Sequence, residues 1–77
     1  MTNSARDSIN QQVGKKIRAI RKARKFNQQY VADKIGITRS VYSRYENGII
    51  EMPVPMFAKI CVVIDADPAR ILEDVKI

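Results

Sequence analysis

The sequence predicts an all-α fold, a compact five-helix bundle within one small domain. Three observations carry that expectation. Apolar residues recur at helical spacing, and no stretch alternates apolar and polar residues as a half-buried strand would. Capping and breaking residues (Asn27, Gly36, Thr38, Gly48, Pro53 and Asp67) cut the chain into segments of helical length. A chain of 77 residues with 45% apolar content has room for a single core.

The elements follow in order. Residues 1–8 are polar and are expected to be a frayed tail, leaving 9–77 as the folded domain. Ile9, Val13, Ile17 and Ile20 fall within about 80° of one another on a helical wheel, which gives a first helix from about Ser8 to near Lys25. Asn27 is a good N-cap for a second helix over Gln28 to Ile35, and Gly36 suits the left-handed position that ends it. Thr38 caps a third helix, Arg39 to Asn47, which Gly48 stops. After a loop, Pro53 and Pro55 start a fourth helix that ends around Asp65. Asp67-Pro68 is an N-cap followed by proline at the first helical position, opening a short fifth helix through Glu73. No internal repeat or low-complexity tract is present.

Composition excludes several chemistries. Without histidine there is no imidazole base and no histidine metal ligand. A single cysteine allows neither an internal disulfide nor a paired-cysteine zinc site, so no metal and no cofactor are expected. Cys61 lies in Ile60-Cys61-Val62-Val63-Ile64 and reads as a small buried hydrophobe. That run is far too short to span a membrane, and the polar N-terminus has no apolar export region, so a cytoplasmic location and no membrane partner are expected. The acids Asp65 and Asp67 form a close pair, but no activated nucleophile accompanies them, and Asp67 is better explained as a cap. An enzyme is therefore not expected.

Charge is distributed unevenly. The chain carries +6 formally, but residues 1–48 hold eleven Lys/Arg against three acids, whereas residues 49–77 hold three against five. A cationic domain of this size most often meets nucleic acid. Lys15, Lys16, Arg18, Lys22 and Lys25 could also form no more than a solvated helix face. The third helix discriminates further. On a wheel, Arg39, Ser43, Asn47, Ser40 and Arg44 share one side, and Val41, Tyr45 and Tyr42 the other. The outer side has no acid, unlike an ordinary solvated face, and its residue types can read base edges: Arg on guanine, Asn on adenine, Ser on either. The spacing of the second and third helices, with Gly36-Ile37 between them, is that of a helix-turn-helix whose second helix enters the major groove. Ala32 is small enough to let the two cross closely. Gln28 and Thr38 stand at helix N-termini, where free N–H groups favour a phosphate.

Val13-Gly14-Lys15-Lys16-Ile17-Arg18, Arg21, Asn27-Gln28, Val31-Ala32, Ile35-Gly36-Ile37-Thr38 and Tyr45-Glu46-Asn47-Gly48 resemble the Cro/repressor-type, Xre-like helix-turn-helix family. The likeness continues through Phe57, Ile60-Cys61, Ile64 and Ile71-Leu72, covering roughly residues 9–73. The resemblance implies a lambda-repressor-like DNA-binding domain and double-stranded DNA as the partner. It places Arg39, Ser40, Ser43 and Arg44 against base edges. It gives Gln28 a phosphate clamp that can touch a base, and it puts Asn47 and the turn after it near the backbone. With Lys15, Arg18 and Thr38 these make the expected backbone contacts. Arg21 matches an arginine that pairs, in some members, with a glutamate at the position of Glu46. The wheel agrees, since Arg21 lies at the margin of the apolar face of its helix and Glu46 between the two sides of its own; alternatively both face solvent or DNA.

The chain also departs from the family pattern. Ile49-Ile50-Glu51 stands where many relatives place Lys or Arg, and Glu51 repels phosphate. Cys61 replaces a common alanine. Tyr30 faces outward, either toward a phosphate or merely into solvent.

The fourth helix suggests an assembly. Val54, Phe57, Ile60, Cys61 and Ile64 are expected in the core, which leaves Met56, Val62 and Val63 for a second apolar side. A two-fold homodimer covers it, with Ile71, Val75 and Ile77 available to join. Alternatively Val62 and Val63 lie under the C-terminal tail of the same chain. The expected function is a sequence-specific, dimeric transcriptional regulator acting on inverted repeats, with half-sites about 34 Å apart. No small-molecule effector is expected, and the compact form resembles Cro-like repressors and restriction–modification controller proteins. The competing expectation is an antitoxin-like or anti-regulator protein-interaction module that mainly presents the fourth helix.

Overall fold

The computed structural model describes the backbone from residue 5 and the side chains from residue 9, both through residue 77. Five helices follow one another: α1 (Ala5–Ala23), α2 (Gln28–Ile35), α3 (Arg39–Glu46), α4 (Val54–Val63) and α5 (Pro68–Leu72). Among the described residues there is no strand.

Each boundary has a local cause. The Asn27 side chain accepts from the Tyr30 N–H at 2.8 Å, that of Thr38 from the Val41 N–H at 3.2 Å, and that of Asp67 from the Ala69 N–H at 3.0 Å. The first four helices all stop the same way. A left-handed residue closes the last turn, and the next residue's N–H reaches back five positions to a carbonyl of that turn. The pairs are Phe26 to Arg21, Ile37 to Ala32, Ile49 to Arg44 and Ala66 to Cys61, at 2.8–3.2 Å. The left-handed residues are Lys25, Gly36, Gly48 and Asp65. Only two of these stops are glycine, which is why glycine alone marks only the ends of α2 and α3 in the sequence.

The core joins Ile17 of α1 to Val31, Ala32 and Ile35 of α2, and Tyr42 of α3 to Ile60, Cys61, Ile64 and Ile71. Burial pushes the Cys61 thiol above its ordinary pKa, as a small apolar filler requires. α1 packs across α3 and α5, while α2 packs on α3 and α4. Gly14 permits the first crossing: a Cβ there would lie 2.2 Å from the backbone oxygen of Glu46. The ends are tied by side chains. Arg24 donates to the carbonyls of Ile64 and Asp65 at 3.0 and 2.7 Å, joining the end of α1 to the end of α4. The Gln12 amide both donates to and accepts from the backbone of Lys76, holding the C-terminal segment on α1.

Several expectations change. α1 begins at Ala5, inside the stretch read as a tail, because Ala5 and Arg6 favour helix and no breaker follows. Residues 1–4 of that tail lie outside the described residues. Val54 is 78% exposed, not core: it stands at the mouth of an open apolar groove lined by Ile9, Val13, Ile50, Met52, Phe57 and Leu72. Ile71, expected on a partner surface, is 1% exposed, because it is the one buried residue of a five-residue helix and anchors that helix to the core. Already desolvated by its own chain, it has no area left to offer a partner. The C-terminal segment runs along α1, so it does not cover Val62, which is 80% exposed.

Gly14→Ala is expected to force α1 from α3 and to cost about 3 kcal/mol, lowering Tm by roughly 15 °C. A thermal melt within a few degrees of the parent would show that the crossing tolerates a methyl group.

Candidate nucleic-acid interface

α3 is held by a buried carboxylate. Glu46 is 3% exposed and Arg21, facing it from α1, is 6% exposed. Arg21 Nε donates to Glu46 Oε2 at 2.6 Å and Nη2 donates to Oε1 at 3.1 Å, a two-pronged pair. The remaining nitrogen, Nη1, donates to the Phe26 carbonyl at 2.8 Å, in the link between α1 and α2. Tyr42 Oη donates to Glu46 Oε2, and Gln28 Nε2 donates to Oε1 at 3.1 Å. Four donors from three helices thus meet one carboxylate. Burial alone would raise its pKa, but the hydrogen bonds from Arg21, Tyr42 and Gln28, with the Arg21 charge, outweigh burial and hold it below the ordinary range. Arg21 is raised in return, chiefly by its hydrogen bond to Glu46. Tyr42 is pushed up by burial and then by its bond to Glu46, so its hydroxyl stays a donor.

With Tyr42 and Tyr45 buried, the opposite side of α3 faces out. Arg39, Ser40, Ser43, Arg44 and Asn47 line one open concavity, together with Gln28 from α2 and Ile49 from the following loop. Arg39, Ser40, Arg44 and Asn47 are exposed, and Ser43 is half-buried. Asn47 is the C-cap of α3, and its Nδ2 donates to Ser43 Oγ at 3.3 Å. A second concavity adjoins it through Asn47, with Lys15 and Arg18 of α1 and Gln11 beside them. A third runs from Arg39 past Gln28 to Asn27 and Gln29. The rim is cationic, and the one acid that reaches it, Glu46, is neutralised by Arg21. The Thr38 hydroxyl oxygen accepts the Val41 N–H, which leaves its own O–H free to donate outward.

A family model for helix-turn-helix domains matches residues 17–71. The chain belongs to that helix-turn-helix family, of Cro/repressor (Xre-like) type. Membership makes this a DNA-binding, non-enzymatic domain. A search of characterised proteins finds no match. No described helix is long and apolar enough to cross a membrane.

In this helix-turn-helix domain, residue types singled out in the sequence converge, but the sequence missed others. Gln11 precedes Lys15 by four residues and Arg18 by seven, so the spacing already put it on their face of α1. Gln29 gave no signal of its own, and Ile49 stood out only as part of the departure from the family pattern after Gly48. Tyr42, read only as core, is also a donor to the buried carboxylate. Tyr30 is occupied locally: its ring stacks on Phe26 at 4.6 Å between centroids, and Lys34 Nζ lies 5.4 Å from its centre.

Breaking the buried pair leaves an unpaired charge, so Arg21→Met is expected to cost about 3–5 kcal/mol in urea unfolding, against about 1–2 kcal/mol for Tyr42→Phe. The pH dependence follows from the depressed Glu46 pKa. Its contribution is full above the unfolded carboxylate value, about 4.3, and is lost as pH falls from there through the lower folded value. Urea midpoints between pH 3 and 7 should therefore drop more steeply with acid for the parent than for Glu46→Gln. Equal slopes would remove Glu46 as the acid-sensitive group.

Proposed function

We propose that this chain is a sequence-specific transcriptional regulator that binds double-stranded DNA as a homodimer on an inverted repeat. The observation that carries the reading is the acid-free, outward concavity of α3, opposite a buried face that fixes the helix. Positive charge in residues 1–48 draws the domain to DNA, and phosphate contacts from Lys15, Arg18, Gln28, Thr38 and Asn47 set its register. Arg39, Ser40, Ser43 and Arg44 then read base edges in the major groove. Gln28 keeps one amide N–H and its carbonyl oxygen for DNA while its other N–H is held by Glu46. Within the family, a Cro-like or restriction–modification controller-type regulator suits the five-helix layout best.

The homodimer rests on α4. Val54 and Val62 are both strongly exposed, and eight residues apart they share a side of the helix. Met56 and Val63 are half-buried against the domain's own core, and Val75 is half-buried in the C-terminal segment, so each has only part of its surface to give. Val62, with Val63 and Ala58 beside it, forms the apolar centre of the surface.

Selection of bound duplexes from a random library tests the reading. Arg39→Ala and Arg44→Ala are each expected to cost about 1–3 kcal/mol and to relax preference at one base position per half-site. Lys15→Ala should weaken binding to all sequences alike and reduce the salt slope by about one. An unchanged preference in the double arginine variant would remove α3 as the reader. In sedimentation, Val54→Glu with Val62→Glu should give a monomer that still melts cooperatively. A persistent dimer would place the interface elsewhere.

A further inference from the structure

The four similar helix stops differ in one respect. The residue after the left-handed position is normally apolar and packs back onto the last turn or the core. Phe26, Ile37 and Ala66 do so, each partly buried against the core. Ile49 does not. Its N–H is pinned to the Arg44 carbonyl at 3.0 Å, yet its side chain is 68% exposed. The last turn beneath it offers Ser43 and Arg44, which provide no apolar seat. Ile49 is instead a wall of the concavity lined by Arg39, Ser40, Ser43 and Arg44.

A lone exposed isoleucine is unremarkable on a surface. One whose backbone is fixed, beside a polar and cationic groove, has a specific chemical complement. Among the groups that base pairs display in the major groove, the C5-methyl of thymine is the apolar one. We propose that Ile49 is a specificity-determining residue that packs against the methyl group of a thymine near the base read by Arg44. This rests on the proposed reading of α3 and adds a base preference to it. Arg and Ser answer to hydrogen-bond donors and acceptors, whereas Ile49 answers to a methyl group, so the two act on different bases of the half-site. Gly48 sets the approach. Its φ is +70°, and a Cβ there would lie 2.7 Å from the backbone nitrogen of Gln11, so the turn that aims Ile49 is seated directly on α1.

Replacing thymine by deoxyuridine removes only the methyl group and tests this directly. The probe is the best duplex recovered from the random library, resynthesised with each thymine replaced in turn. For the parent, replacement at one position per half-site should weaken binding about three- to fivefold, the worth of one buried methyl. Ile49→Ala should bind the unmodified duplex weaker by a similar factor and be indifferent to replacement at that position. Arg44→Ala should keep the deoxyuridine penalty. Exposure of Ile49 means that Ile49→Ala should melt with the parent. Parent binding that ignores every replacement overturns the proposal, as does an Ile49→Ala variant with the parent's penalty, or a selected half-site without thymine. Each of these leaves the α3 reading standing. Recovery of no preferred sequence would instead sink the α3 reading and this proposal with it.

Discussion

The carboxylate of Glu46 is the point on which the site depends. It lies at the end of α3, out of water, and accepts hydrogen bonds from Arg21, Tyr42 and Gln28. Those residues come from α1, α3 and α2, so a single charged group sets the angle at which the three helices meet. A buried ion pair of this kind is weak evidence for net stability, since desolvation offsets much of its Coulombic gain. Its value here is directional. A two-pronged guanidinium tolerates little rotation, and any tilt of α3 about its axis would break several short bonds together.

That constraint explains the placement of small residues. Gly14 lies where α1 crosses the chain at Glu46, and even a methyl group there would meet backbone. Ala32 is fully buried where α2 carries the core. Close crossing and the carboxylate network are therefore one feature, since the guanidinium of Arg21 reaches Glu46 only because the helices touch. The polar network forms one side of α3's support, and the aromatic rings of Tyr42 and Tyr45 form the other.

The same network reaches the outer surface through Gln28. One of its amide hydrogens is committed to Glu46, so the direction in which the rest of the amide points is set by the interior. Just past the C-terminal end of α3, the turn through Gly48 fixes the start of the loop against α1. Both edges of the concavity are thus positioned by backbone or buried contacts, and the flexible arginines between them need only adjust locally. A rigid frame around adaptable readers limits the conformational entropy lost on binding.

The helix order, the three side-chain caps and the cationic outer face of α3 were legible in the sequence, because each depends on neighbours a few residues apart. Periodicity and capping are local, and local chemistry survives without coordinates. Family likeness and the wheel favour the pairing of Arg21 with Glu46, but neither decides it against both side chains facing outward. What the sequence could not decide was anything that depends on which residues meet across the fold. Lys25 and Asp65 end helices without glycine, Val54 leaves the core and Ile71 enters it. Each outcome turns on the distance between segments twenty or more residues apart, or on a backbone angle that the packed neighbours impose. A one-dimensional pattern ranks faces by polarity, and only the packed chain determines how much of each face is left in water.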